Sequence, residues 1–263
     1  MVLEGNLQPI AGLFEGSNSP RVFAHRGLSS DFPENTLSAF RAAANHAGVK
    51  GIELDVQLTR DGIPVVFHDE CLVRLGRAGT GIRDLEFVEL SRIDAGSWFD
   101  PDFSDERIPS LEQTLAVSPG SVFLVELKSC PADARTGRGR DLVHRVIALL
   151  EKTGNSNRCV ILCFDSELLL LVKELQLEVH CMLNVCKPPG NGSGDWVESI
   201  RGFEAVDISI CHLNPAVVQT LHDAGLLVLT YTCNTADDIR KACDCHVDGI
   251  ITDFPDRVLG HLT

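Results

Sequence analysis

The sequence lacks any apolar run approaching the ~18 residues that a membrane-spanning helix requires, so no transmembrane segment is expected. It is also short of positive charge. Against 37 Asp and Glu it sets 23 Lys and Arg, and the net charge of −14 argues against nucleic acid and against electrostatic docking on anionic lipid. An anionic substrate is not excluded, because a local metal ion or a few basic side chains can reverse the field inside one pocket. Met1–Pro20 has no basic n-region and does not read as a signal peptide, which leads us to expect a cytoplasmic protein. Low-complexity tracts and long linkers are absent too, so residues 1–263 are expected to form a single domain. Cysteine is not scarce, but the 10 present include no C-x-x-C pair, and the nearest approach to one is Cys243-Asp244-Cys245. Several lie in apolar runs such as Val160-Ile161-Leu162-Cys163-Phe164, where Cys acts as a small core residue, and free thiols are expected.

Short apolar runs alternate with amphipathic stretches. The runs are Arg21–His25, Gly51–Leu58, Val122–Leu127, Cys159–Phe164, Glu178–Leu183, Ala205–Ile210, Leu226–Tyr231 and Val247–Ile251. Each is nearly continuous in hydrophobicity, as a strand buried on both faces should be. Between them, Asn35–Ala47, Arg140–Lys152, Glu167–Glu174, Pro215–Ala224 and Ala236–Ala242 read as helices. Alternating βα units imply a parallel sheet, and eight of them imply an α/β TIM (β/α)8 barrel. An open, doubly wound sheet is the alternative. Residues 59–121 hold more chain than one crossover helix needs. Roughly 64–110 therefore read as a small insertion after the second strand, beginning with a short strand at Pro64–Phe67, over the active-site face.

Four polar features stand in or at the ends of these apolar strands: His25-Arg26-Gly27, Glu53-Leu54-Asp55, Phe67-His68-Asp69 and Glu126-Leu127-Lys128. Strand side chains alternate faces, so Glu53 and Asp55 point the same way, roughly 6–7 Å apart. In a barrel, Glu126 on the neighbouring strand can converge on them. Three carboxylates that close repel one another unless a cation holds them, and an all-oxygen site suits Mg²⁺ or Ca²⁺ better than zinc. His25 and His68 then stand at the rim as an acid and base pair, with Arg26 and Lys128 to receive an anionic phosphodiester. The set points to phosphodiester cleavage assisted by a metal.

Each residue has a plainer reading. Glu126 with Lys128, or Glu53 with an arginine, can be a structural ion pair, and a histidine at a strand end is often only hydrogen-bonded. All of them together would make a costly core without a function. Pro33-Glu34-Asn35-Thr36 reads as a helix start, with Pro in the first turn and Glu34 near the positive end, rather than as catalytic. Asp61-Gly62 reads as a hairpin turn, and 187–194 as a surface loop, with a lid as the alternative reading.

At these residues the chain resembles the glycerophosphodiester phosphodiesterase family. The matching pieces are His25-Arg26-Gly27, Pro33-Glu34-Asn35-Thr36, Glu53-Leu54-Asp55-Val56, Thr59-Arg60-Asp61-Gly62 and Pro64-Val65-Val66-Phe67-His68-Asp69. They continue with Ile108-Pro109-Ser110-Leu111-Glu112, Glu126-Leu127-Lys128 and Val247 to Pro255, so that the likeness runs from about 20 to 258. The resemblance implies a TIM barrel and one divalent cation, Mg²⁺ or Ca²⁺, on Glu53, Asp55 and Glu126. It further implies acid–base catalysis by His25 and His68, with Arg26 and Lys128 on the phosphate. The implied substrates are glycerophosphodiesters such as glycerophosphocholine or glycerophosphoethanolamine, yielding glycerol 3-phosphate and an alcohol through a cyclic phosphate. Three departures from the family pattern, Cys163, Tyr231 and the pair Leu75-Gly76, are expected to touch leaving-group recognition, with Tyr231 either stacking on choline or glycerol or filling the barrel top. A lysophospholipase D-like hydrolase on the same barrel and a non-catalytic phosphodiester-binding barrel are the competing readings. A homodimer is compatible with the sequence, and no feature demands one.

Overall fold

In the computed structural model, residues 19–129, 136–176, 179–191 and 194–262 are described. Met1–Asn18, Cys130, Glu178 and part of the 187–194 loop lie outside the described residues. Eight parallel strands form the barrel wall: β1 (Arg21–Ala24), β2 (Val49–Leu58), β4 (Val122–Leu127), β5 (Cys159–Cys163), β6 (His180–Val185), β7 (Ala205–Ser209), β8 (Leu227–Tyr231) and β9 (Gly249–Thr252). β1 pairs with both β9 and β2, which closes the sheet into a barrel and excludes the open, doubly wound alternative. Among the described residues no helix is long and apolar enough to cross a membrane.

Alternation along each strand divides the core in two. Phe23, Leu124, Val160, Leu162, Met182, Ala205, Leu229 and Ile251 fill the barrel interior. Their strand neighbours, among them Val22, Ile52, Val125, Ile161, Cys181, Val206 and Val228, pack outward against the helices. Strands with both faces covered in this way must read as unbroken apolar runs, and these do. Cys159, Cys163 and Cys181 all belong to the outer core, where burial pushes the Cys163 thiol up to about 11.

Helices follow their caps. Ser110, Asn214 and Thr235 accept hydrogen bonds from the first turns of Leu111–Val117, Pro215–Asp223 and Ala236–Asp244. The long helix Arg138–Thr153 stops at Gly154, whose φ of 68° suits glycine. The first helix is shorter than the sequence pattern predicts, Leu37–Ala44 rather than Asn35–Ala47. Asn35 has φ 57° and Thr36 is extended, so Thr36 is the cap and the preceding residues are a turn.

After β2 the chain turns at Asp61-Gly62 into β3 (Pro64–Val66), antiparallel to β2. It then runs through short helical turns to Ser110 around a core of its own that includes Val65, Leu72, Ile82, Leu90 and Ile108. At the opposite end of the barrel, Arg158 donates to the carbonyls of Leu115, Ser118 and Ser121 and lies over the Phe123 ring.

Candidate active site

β2 supplies two adjacent inward carboxylates. Ile52, Leu54 and Val56 face the outer core, so Glu53 and Asp55 must face inward. Asp55 is the register partner of Glu126 on β4, and ligand oxygens of Glu53, Asp55 and Glu126 all lie within 4.8 Å of one another. Burial, then Asp55 and Glu126, push Glu53 well above the ordinary carboxylate range. Glu126 is raised by burial and by Asp55. Burial opposes ionisation of Asp55 as well, but Arg26 and Lys128 outweigh it and hold Asp55 low. A compact, all-oxygen donor set whose members repel one another fits a hard divalent cation.

Arg26 and Lys128 flank this cluster. Lys128 Nζ is 2.9 Å from Glu126 and 3.4 Å from Asp55. Arg26 Nε is 3.3 Å from Asp55, and its Nη1 donates to Glu34 Oε1 at 2.9 Å. Arg26 adopts φ 58°, a strained conformation that turns its backbone N–H onto Glu53 Oε2 at 3.1 Å. The glycine that follows is required: φ is +85° at Gly27, and a Cβ there would meet the Ala39 backbone at 2.8 Å.

Both candidate histidines are anchored at Nδ1 by an aspartate. His25 Nδ1 lies 2.6 Å from Asp253, and its Nε2 faces Glu53 at 3.8 Å. His68 follows β3, where Phe67 N donates to Asp55 O and Gln57 donates to the carbonyls of Phe67 and Asp69. Its Nδ1 lies 2.9 Å from Asp69. Arg74 holds Asp69 at 2.7 Å and Glu34 at 3.0 Å, and its guanidinium sits 4.5 Å from the Trp98 ring.

Seven of the eight residues singled out in the sequence thus gather at one end of the barrel. Tyr231 ends β8 and packs against the barrel interior, with its ring 6.2 Å from Phe164 and its hydroxyl 3.7 Å from Cys186 Sγ. Two expectations need correcting. Glu34 lies two residues before the Thr36 cap rather than in the first turn of the helix, and it bridges two arginines, while Asn35 donates to Asp55 at 2.8 Å. Cys163 does not bear on leaving-group recognition, since it is buried on the outer face of β5 with its thiol on the Leu127 carbonyl. Leu75 likewise packs against the core of the insertion.

The sequence profile of the Glycerophosphoryl diester phosphodiesterase family matches residues 25–257. A glycerophosphodiester phosphodiesterase of Bacillus altitudinis is 32% identical over 247 residues, which are 91% of this chain and 96% of that protein. Glycerophosphodiester phosphodiesterase 1 of Homo sapiens is 46% identical over 98 residues, 36% of this chain and 29% of that protein. Among solved structures, a phosphodiesterase of Oleispira antarctica in complex with the product sn-glycerol-3-phosphate superposes with TM-score 0.81 at 28% identity, covering 93% of this chain and 97% of that one.

Proposed function

Given that the chain belongs to the glycerophosphoryl diester phosphodiesterase family and is a phosphoric diester hydrolase, we propose that it hydrolyses small glycerophosphodiesters, such as glycerophosphocholine or glycerophosphoethanolamine, to glycerol 3-phosphate and the alcohol. The observation that carries this reading is the carboxylate triad set between two basic side chains and an aspartate-anchored histidine at 3.8 Å. The barrel and its insertion act as one catalytic domain.

Glu53, Asp55 and Glu126 would hold one Mg²⁺ or Ca²⁺, which would neutralise and polarise the phosphoryl group. Arg26 and Lys128 bind the non-bridging oxygens and stabilise the negative charge that builds up as phosphorus is attacked. The glycerol hydroxyl next to the ester attacks phosphorus and displaces the alcohol. One histidine takes the hydroxyl proton and the other gives a proton to the leaving oxygen. Water then opens the cyclic phosphate with the two roles exchanged. Because the substrate carries its own nucleophile, the protein contributes mainly position and charge.

The test is release of glycerol 3-phosphate from both diesters, with EDTA and then with Mg²⁺ or Ca²⁺ restored. Turnover lost to EDTA and regained with a cation is expected, and no release under any cation would sink the substrate assignment. A second reading, hydrolysis of lysophospholipids, is favoured by Phe164 (46% exposed) beside Tyr231 and by Trp98 and Phe99 (38% each) on the insertion. Lysophosphatidylcholine hydrolysed faster than glycerophosphocholine would make it the better one.

A further inference from the structure

Two polar side chains inside the barrel take no part in the chemistry above. Asn184 and Asp207 are register partners on β6 and β7. Met182 and Ala205, two residues earlier on each strand, pack in the barrel interior, while Leu183, Val206 and Ile208 face the outer core. Alternation therefore directs Asn184 and Asp207 inward. They are 4% and 2% exposed. Asn184 Nδ2 donates to Glu126 Oε2 at 3.1 Å, which fixes the amide orientation and ties this pair to the carboxylate triad. Asn184 Oδ1 and Asp207 Oδ1 are both buried and accept no hydrogen bond. Buried acceptors without donors are costly and uncommon. Two of them side by side, next to the reaction centre, point to a ligand.

We infer that Asp207 and Asn184 form a hydroxyl-binding subsite, which exchanges hydrogen bonds with an aliphatic hydroxyl of the bound diester and selects polyol substrates over deoxy analogues. The inference rests on the proposed diesterase function. The donor chemistry excludes the other ligand classes. Asn184 Oδ1 accepts only, so a phosphate oxygen cannot pair with it, and an apolar group would leave both acceptors unpaired. Asp207 is not one of the acids that converge on the Glu53, Asp55 and Glu126 site, so among the described residues it adds no ligand to that site. A hydroxyl both donates and accepts. Burial, then Glu126, push Asp207 well above the ordinary carboxylate range, and a neutral carboxyl has the same two-way capacity. The metal candidates sit on β2 and β4 and the histidines follow β1 and β3, so β6 and β7 face the part of the diester that extends away from phosphorus.

The hydroxyl can belong to glycerol, as the one distal to the ester, or to a polyol leaving alcohol. Two substrate pairs separate these sources. Glycerophosphocholine is compared with the phosphocholine ester of propane-1,2-diol, which keeps the attacking hydroxyl and lacks the distal one. Glycerophosphoglycerol is compared with glycerophosphoethanol. In the wild type, one pair differs in kcat/KM by about 10- to 100-fold, the range for a hydrogen bond to a buried acid. In Asp207→Leu that ratio falls below about threefold, while Tm stays level or rises because an unpaired buried acid has gone. Collapse in the first pair assigns the distal glycerol hydroxyl; collapse in the second assigns the leaving alcohol; either supports the subsite. Wild-type turnover with both ratios unchanged in the variant overturns the subsite alone. No wild-type turnover on any of the four sinks the substrate reading and the subsite with it. Should the leucine variant fail to fold, Asp207→Ala removes the carboxyl without adding bulk, and the same ratios decide.

Discussion

His25 Nδ1 donates to Asp253 Oδ1 over 2.6 Å, joining the first strand of the barrel to the residue that follows the last. Ser29 and Asn234 also donate to this carboxylate. Burial opposes its charge, but His25, Asn234 and Ser29 together outweigh burial and hold Asp253 below the ordinary range. The contact fixes the tautomer and leaves Nε2 directed toward Glu53. Asp253→Asn is therefore expected to lower kcat by about 10²- to 10⁴-fold, the cost of a wrong tautomer or a lost acid–base group, with KM little changed. Steady-state kinetics on a variant with normal Tm would check this, and an unchanged kcat would remove the positioning role.

Arg74 links both halves of the site. It holds Asp69, the anchor of His68, and shares Glu34 Oε1 with Arg26. Losing it should loosen His68 and Arg26 together. We expect Arg74→Ala to lower kcat/KM by about 10- to 100-fold, the range for charge-assisted hydrogen bonds. Arg74→Lys should recover only part, because an ammonium lacks the planar fork that reaches two carboxylates. A lysine variant as fast as the wild type would show that charge alone suffices there.

The parts of the site differ in how legible they were. Glu53, Asp55 and Glu126 stand out in sequence because a carboxylate inside an apolar strand has no cheap structural explanation, and strand alternation puts the first two on one face. The barrel was legible from the apolar runs, although only the pairing of β1 with β9 and β2 decided between closure and an open sheet. Asp253 was hidden because nothing local distinguishes it from a turn aspartate, and closure alone brings it to His25. Glu34 and Asn35 looked like an ordinary helix start; the left-handed φ of Asn35 delays the helix and turns both side chains to other uses. Asn184 and Asp207 sit singly in apolar strands, as Glu126 does, and that same signal could have found them.

Tyr231 tests the leaving-group side. Its ring packs edge-on against Phe164, and its hydroxyl reaches Cys186. If the ring face receives a choline, Tyr231→Ala should raise KM for glycerophosphocholine by about 3- to 10-fold, in line with a partly exposed cation–π contact. Tyr231→Phe should match the wild type. An equal rise in KM for glycerophosphoglycerol, which has no cation to stack, would reassign the ring to filling the barrel mouth.

The carboxylate triad makes a prediction about stability whose sign can be worked out. Without a cation, Glu53 is held well above the ordinary range by burial, Asp55 and Glu126. The folded protein then keeps a proton that the unfolded chain has released. This group's contribution to stability therefore falls as pH rises from the ordinary carboxylate range through the raised value. Asp55, held low once Arg26 and Lys128 outweigh burial, behaves oppositely: its contribution is present above the ordinary range and is lost as pH falls through its lowered value. Glu53→Gln removes one of three mutually repelling charges and leaves Asp55 in place. In EDTA, the variant should melt above the wild type, and the gap should widen between about pH 5 and about pH 8. Adding Mg²⁺ or Ca²⁺ should raise the wild-type Tm, more at the higher pH because binding displaces the proton, and should leave the variant nearly unmoved. Thermal melts of both proteins at the two pH values, with and without cation, decide the matter. If the variant melts lower than the wild type in EDTA at the higher pH, Glu53 is a structural partner of the Arg26 backbone and not one of three strained ligands.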